Sequence, residues 1–531
     1  MSNDLVRRRL MQAAAAAAGG AIMGIPMQTL AARAKGGLIV IGTTQKPRHL
    51  NSAVQSGIAT MSPAAQLFAF PLLMNGKWKP QGYLADKYEL SDDARSIRLH
   101  LREGATFHDG RPITSADFQF SFEAVRAHHP FKSMMGPVRA VTLDGPQVAV
   151  VRLEAPHPAL LLAMSTSFMP IIPKHIFDDG QDLKSHPRNA DPVGSGPFKL
   201  VEFKPGQHII MDRYEDFFIK DQPAIDRLII KEFRDPSSLV LALEKGEVDV
   251  HPQLLDPREI KRAQANSNLF IEKGHAPAIG PLNWLAFNTA SPKLSDKRVR
   301  QAINFAIDKK FITDTLFDGI HQRATGPIAN GSPFHSDKVE HYNLDLAKSA
   351  ALLDAAGLKP DAGGKRLELQ IDTIPGSPAL KTLQEYVKAA LAKVGIEVSL
   401  RQSPDFPTWA KRVSSHDFEM TVDSVWNWGD PVIGVHRTYD STNIRKGVIW
   451  SNTQSYSNPR VDELMTKAAT EPDEGKRKKL YAEMQKIVVD DCPQAFLIEN
   501  TFHAGWNKRV SGPTDSIWGV MAPLAKNSVK T

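Results

Sequence analysis

Cys492 is the only cysteine in a chain of 531 residues, so no intramolecular disulfide can hold the fold together. Stability has to come from buried apolar surface alone, and this length predicts about three domain-sized units, each with its own core. The N-terminus indicates where those cores must serve. Arg7-Arg8-Arg9, the apolar run Ala13 to Ile25 and then Ala32-Arg33-Ala34 supply a charged n-region, a short h-region and a small-x-small cleavage site. That is the pattern of an export signal, and the run is too short to cross a bilayer core of ~30 Å.

Cleavage after Ala34 predicts a mature protein of 497 residues beginning at Lys35 in the periplasm. The paired arginines ahead of Leu10 and Met11 resemble a bacterial twin-arginine signal; an ordinary Sec signal with an arginine-rich start is the alternative, and both lead to the same compartment. Cys492 lies far from the cleavage site, which excludes a lipoprotein anchor there, and no later stretch approaches the ~20 apolar residues of a membrane span. Losing Arg7, Arg8, Arg9 and Arg33 together with Asp4 lowers the formal net charge from +7 to +4. That is too mild for a nucleic-acid-binding chain.

Periodicity predicts an α/β protein. Leu38 to Gly42 reads as a buried opening strand, Ile97 to Leu101 as a half-buried one, and Asp109-Gly110 as a turn. Thr114 with Asp117 predicts a capping box for a helix burying Phe118, Phe122 and Val125. Strands are expected at 147–153, 208–213, 226–233 and 248–250, with a helix from Ser237 to Lys245. Trp284 to Asn288 opens a second block, in which Ser295 is expected to cap a helix burying Val299, Ile303, Ala306 and Ile307. Helices at 345–356 and 379–394 then alternate with strands at 366–372 and 396–401, the sign of a layered sheet. After helices near 460–469 and 475–490, the apolar residues 495–498 and Phe502 predict a strand pair returning to the first domain.

Four landmarks in this order carry a resemblance. They are Leu101-Arg102-Glu103-Gly104-Ala105-Thr106-Phe107-His108-Asp109-Gly110, Gly194-Ser195-Gly196-Pro197-Phe198, Val299-Arg300-Gln301-Ala302-Ile303-Asn304-Phe305-Ala306-Ile307-Asp308 and Tyr456-Ser457-Asn458-Pro459. Together they resemble the solute-binding proteins of ATP-driven importers in the peptide/nickel-binding family. The resemblance implies a large bilobal clamshell with a subdomain inserted in its first lobe. The first lobe would comprise 35–70, 195–283 and 495–531, the insertion 71–194 and the second lobe 284–494, with hinge crossings near 284 and 494. It also implies a small-molecule or peptide ligand, permease subunits in the inner membrane as partners, no nucleic acid, a monomer, and neither cofactor nor catalytic group.

The strongest candidate site is Val425-Trp426-Asn427-Trp428-Gly429-Asp430-Pro431, where Trp426 and Trp428 would form an aromatic wall with Asn427 and Asp430 as polar handles. Peptide-binding relatives commonly carry an aspartate at the position of Asn427, where it pairs with the ligand's ammonium; a neutral amide lacks that charge. Thr44, Gln45 and Arg48 follow the opening strand and are expected at the cleft, because ligands of open α/β sheets sit beyond strand ends. His341, His416 and His436 raise a metal reading that no close ligand spacing supports. Receptors for opines, sugars or metal chelates are alternatives on the same fold. An exported hydrolase is the rival class, against which stands the absence of H-E-x-x-H and G-x-S-x-G.

Overall fold

The computed structural model describes residues 37–530, so the export signal expected over 1–34 lies outside the described residues. The first sheet has seven strands in the order Leu269–Lys273, His503–Asn507, Val250–Leu254, Leu38–Thr43, Arg227–Glu232, His208–Arg213 and Phe198–Lys204. Leu38–Thr43 takes the centre because both its faces are apolar: Ile39 and Ile41 enter one core and Val40 the other. It runs parallel to both neighbours, the arrangement that buries a strand on two sides. A Cβ at Gly42 would lie 2.0 Å from Leu239 Cδ1, so the helix Pro236–Glu244 packs close only over a glycine. Asp249 ties the two ends of the chain together. Its carboxylate accepts the Val40 N–H at 2.9 Å and two Arg509 donors at 2.6 Å each.

A four-stranded antiparallel sheet, in the order Ala85–Leu90, Ser96–Leu101, Val148–Leu153 and Val138–Leu143, is covered by the helix Ser115–His128. The capping box forms as the sequence predicts, with Asp117 Oδ2 accepting the Thr114 N–H at 2.9 Å and Phe118, Phe122 and Val125 buried. Two of the landmarks meet here. His108 accepts the Gly194 N–H on Nδ1 at 3.2 Å and donates from Nε2 to the Gly196 carbonyl at 3.0 Å. A Cβ on Gly194 would lie 1.8 Å from the Leu67 carbonyl oxygen, while Ser195 Oγ accepts from Ala69 N at 2.9 Å and donates to Ile171 O at 3.0 Å. The Gly-Ser-Gly loop, just ahead of the first-sheet strand Phe198–Lys204, therefore ties His108, which follows the four-stranded sheet's Ser96–Leu101, to Ala69 and Ile171, and its serine is fully engaged.

The second large sheet has the order Gln322–Arg323, Gln494–Glu499, Pro281–Phe287, Met420–Trp426, Leu367–Thr373 and Ile396–Arg401. Along Pro281–Phe287 the side chains alternate: Leu285 and Phe287 enter the core under the helices Lys297–Ala306 and Pro378–Ala392, and Leu282, Trp284 and Ala286 enter the core under Glu474–Asp491. Arg300 secures this lobe's helices by donating to the carbonyls of Leu294 at 2.6 Å, Asp491 at 2.6 Å and Cys492 at 3.0 Å.

Several expectations shift. Asp296, not Ser295, caps its helix by accepting the Arg298 N–H at 2.8 Å, and Asp235 caps the helix expected to start at Ser237. A carboxylate there gains from the helix dipole as well as from the hydrogen bond. The strand expected at 248–250 runs from Val250 to Leu254. The two terminal strands do not pair with each other. Gln494–Glu499 is buried at every residue and lies between two strands of the second sheet, and only His503–Asn507 joins the first. The chain thus passes between the sheets through 274–280 and 500–502 rather than near 284 and 494. Among the described residues no helix is long and apolar enough to cross a membrane.

Candidate ligand-binding cleft

Between the two large sheets lies a cavity of about 1680 Å³. Thr44 and Gln45, beyond the end of Leu38–Thr43, line it together with His251 and Gln253 of the neighbouring strand. Asn283, Ser424 and Trp426 face it from the second sheet, His321 from the loop before Gln322–Arg323, Arg437 from the short helix His436–Tyr439, Phe131 from the segment after the helix Ser115–His128, and Asn500 from a passage. Gln45 Nε2 donates to Gln253 Oε1 at 2.9 Å, and Asn283 Nδ2 to Asn500 Oδ1 at 3.0 Å. His251 accepts the Gln253 N–H on Nδ1 at 3.3 Å, which puts its proton on Nε2, an atom without a hydrogen-bond partner among the described residues. Burial draws its pKa down to about 3 and that of His321 to about 4, so both stay neutral at pH 7. This part of the wall offers neutral amide and imidazole groups, suited to hydrogen bonding with a polar, amide-like solute.

The tryptophans divide their work. Trp426 ends its strand, half-buried, and lines the cavity. Trp428 sits at φ +52°, is only 3 % exposed, and packs on Phe131 and Phe168 with ring centroids at 5.6 and 6.3 Å. It lines the cavity while anchored in the core of the first sheet's body. Gly429, at φ +83°, lets the chain turn behind it, donating to the Ala278 carbonyl at 2.6 Å.

Three candidates stand elsewhere. Asn427 is buried away from the cavity lining: its Oδ1 accepts the Ala329 N–H at 2.7 Å and its Nδ2 donates to the Pro327 carbonyl at 3.3 Å. Its amide is matched to one donor and one acceptor of the backbone, which explains the residue without a ligand. Asp430 is likewise buried, held by two Arg477 donors at 2.7 Å each and capping the turn after it through the Val432 N–H at 3.0 Å. Arg48 is exposed and lies outside the lining, because the chain after Pro47 turns toward the short 3-10 turn Pro187–Asn189, where Leu50 N donates to Asn189 O at 2.8 Å. Asp423, the other carboxylate near the tryptophans, accepts from Trp284 Nε1, and burial pushes its pKa up to about 7.

His436 meets Tyr481 Oη at 3.0 Å and His416 meets Ser455 Oγ at 3.1 Å. Among the described residues no group of three or more His, Cys, Asp or Glu is placed to hold a metal ion. Sequence reasoning missed His251, Gln253, His321, Asn283, Asn500, Phe131 and Arg437. Gln253 was within reach of the strand-end argument that selected Gln45; nothing local marks Arg437.

Comparison with known proteins agrees with this architecture. Residues 79–453 match the model of the bacterial extracellular solute-binding proteins, family 5 middle region. Heme-binding protein A of Haemophilus influenzae is 27 % identical over 82 % of this chain and 82 % of its own length. The dipeptide-binding protein of Escherichia coli is 25 % identical, covering 84 % of each chain. The structure of the oligopeptide-binding protein AppA of Bacillus subtilis, in complex with a nonapeptide, superposes with a TM-score of 0.78 at 23 % identity, over 93 % of this chain and 99 % of that one. It shares the bilobal α/β fold that the sequence predicts. Two lobes around one large cleft, built from a sequence that matches this family's model over most of its length, make this chain a member of the family 5 bacterial extracellular solute-binding proteins.

Proposed function

We propose that the chain is the periplasmic receptor of an ATP-driven importer, exported by a twin-arginine-type signal, and that as a monomer it captures a peptide or peptide-like solute by closing two lobes and presents it to the membrane permease. The observation that carries this reading is the cavity walled by both large sheets and bordered by Asn500 of a passage between them. Its amide and imidazole groups suit a peptide backbone, and the dipeptide-binding relative and the nonapeptide complex of AppA support that class of ligand. The passages 274–280 and 500–502 serve as the hinge. Direct polar links between the lobes include Lys261 with Asp318 at 3.2 Å and Lys79 with Glu474 at 2.8 Å, all four side chains well exposed. Exposed pairs of this kind contribute ~0–1 kcal/mol each, so these polar links alone add little to the closed state, and a ligand touching both walls biases the equilibrium toward it.

Small-angle scattering tests the mechanism, with the ligand first identified by native mass spectrometry of protein taken from its own periplasm. Saturation should reduce the radius of gyration of the ligand-free protein. A radius unchanged on saturation would remove the closing mechanism, and a ligand released in altered form would move the protein to the hydrolase class.

A further inference from the structure

Arg437 is the one cationic group of the cleft that is both substantially buried and without a carboxylate among the described residues. It follows the turn after Asp430 and lines the cavity beside Trp426. Nε donates to the Gly434 carbonyl at 3.2 Å and one terminal nitrogen to the Trp426 carbonyl at 3.3 Å, while the guanidinium lies 5.2 Å from the ring centroid of Phe131 across the cleft. Two weak acceptors and one aromatic face leave most of its five N–H donors free for another partner. The other arginines of the wall differ: Arg258 and Arg445 are exposed, and Arg445 rests on Asn443 Oδ1 at 3.0 Å. The acidic groups of the wall are otherwise engaged. Asp440 accepts from Thr442 N at 2.8 Å and from its hydroxyl at 2.7 Å, Glu259 accepts from Ser237 Oγ at 2.9 Å, Asp256 caps a helix and Asp318 pairs with Lys261. Burial alone lowers the pKa of Arg437, to about 10, with no carboxylate contributing, so it remains charged at pH 7.

A guanidinium removed from water without an anion is costly, and a planar fork matches a carboxylate in two parallel hydrogen bonds. We propose that Arg437 anchors a carboxylate of the ligand, with Phe131 and Trp426 covering the group that bears it, so that the ligand is held by its acidic end. This deepens the receptor reading and rests on it for the location of the site. It also accounts for a wall in which neither Asn427, Asp423 nor Asp430 reaches the cavity to hold an ammonium.

The experiment has two arms, both run on the full mature chain by calorimetric titration. In the first, N-acetyl-trialanine and its C-terminal amide are compared; the acid should bind about 10- to 100-fold more tightly than the amide. Arg437→Gln should erase that preference, and Arg437→Lys, which keeps the charge without the fork, should retain part of it. In the second arm, hippurate and benzamidoacetamide, an acid and amide that are not peptides, are titrated against the same proteins. Loss of all peptide binding with a hippurate preference that disappears in Arg437→Gln would overturn the peptide reading and retain the anchor. Equal binding of acid and amide by the native protein in both arms, or no binding of either acid, overturns the anchor, and this result needs no variant to fold. Thermal melts of both variants verify that a lost preference is not a lost fold.

Discussion

Replacing Asp430 separates a structural carboxylate from a ligand-binding one. Its side chain is 6 % exposed and that of Arg477 is 4 % exposed. The guanidinium uses two donors on Asp430, a third on the Ala468 carbonyl at 2.8 Å, and packs over the rings of Phe334 and Tyr481 at 4.7 and 5.4 Å. Burial alone would push the Asp430 pKa up, but Arg477 and the Val432 N–H outweigh it and the net shift is down. Asp430→Ala leaves an arginine buried with its main partner gone, a change that costs about 3–5 kcal/mol, and also removes a cap worth about 1 kcal/mol. Asp430→Ala combined with Arg477→Met should recover much of the loss, because an apolar pair of similar volume carries no desolvation cost. Urea unfolding followed by tryptophan fluorescence measures the differences, and titration with the native ligand measures affinity. The reasoning is refuted if Asp430→Ala unfolds within about 1 kcal/mol of the native protein while losing affinity, since the carboxylate would then serve the ligand rather than the fold.

The same geometry reverses what the sequence suggests for Asn427: Asn427→Asp places a carboxylate against the Pro327 carbonyl and should destabilise by ~1–3 kcal/mol, with no gain in affinity for a free-amine tripeptide by titration. Trp426→Ala should weaken ligand binding about tenfold or more with a small change in melting temperature, whereas Trp428→Ala, which empties part of a core, should cost about 3–5 kcal/mol in urea unfolding. Acid should destabilise the protein below pH 6.5. Burial lowers the pKa values of His108, His321 and His436 to about 4 and those of His129 and His251 to about 3, so the unfolded chain takes up protons near pH 6.5 that the folded chain refuses. Asp423 and Glu499, raised by burial to about 7, act in the opposite sense: their burial costs stability as pH rises from about 4 to 7. Five histidines less two carboxylates predict a net uptake of about three protons on unfolding at pH 5; a stability that is flat from pH 5 to 6.5 contradicts this.

What could be read from the sequence is what depends on neighbours in the chain. Leu38 to Gly42 and Trp284 to Asn288 announce buried strands because their runs are apolar, and they fall in or at the end of the strands Leu38–Thr43 and Pro281–Phe287, while Thr114 with Asp117 announces its capping box because the two partners lie three residues apart. Gly194 and Gly196 mark a tight approach without naming what is approached, the carbonyls of Gln66 and Leu67. The candidate site was harder because its polar residues are settled by distant ones. Asp430 is claimed by Arg477 from 47 positions away and Asn427 by a backbone segment 98 to 100 positions before it. A polar residue between tryptophans therefore looks the same in sequence whether it faces a ligand or closes a core. Arg437 shows the converse: nothing beside it in the chain distinguishes it from other arginines, and its importance comes from an absence, since no carboxylate among the described residues folds back onto it. Following the carboxylates beside the tryptophans to their partners in three dimensions removes the expected anchors and leaves Arg437 as the substantially buried cation of the cleft wall with no carboxylate among the described residues, which is why a search for the ligand should begin with acids.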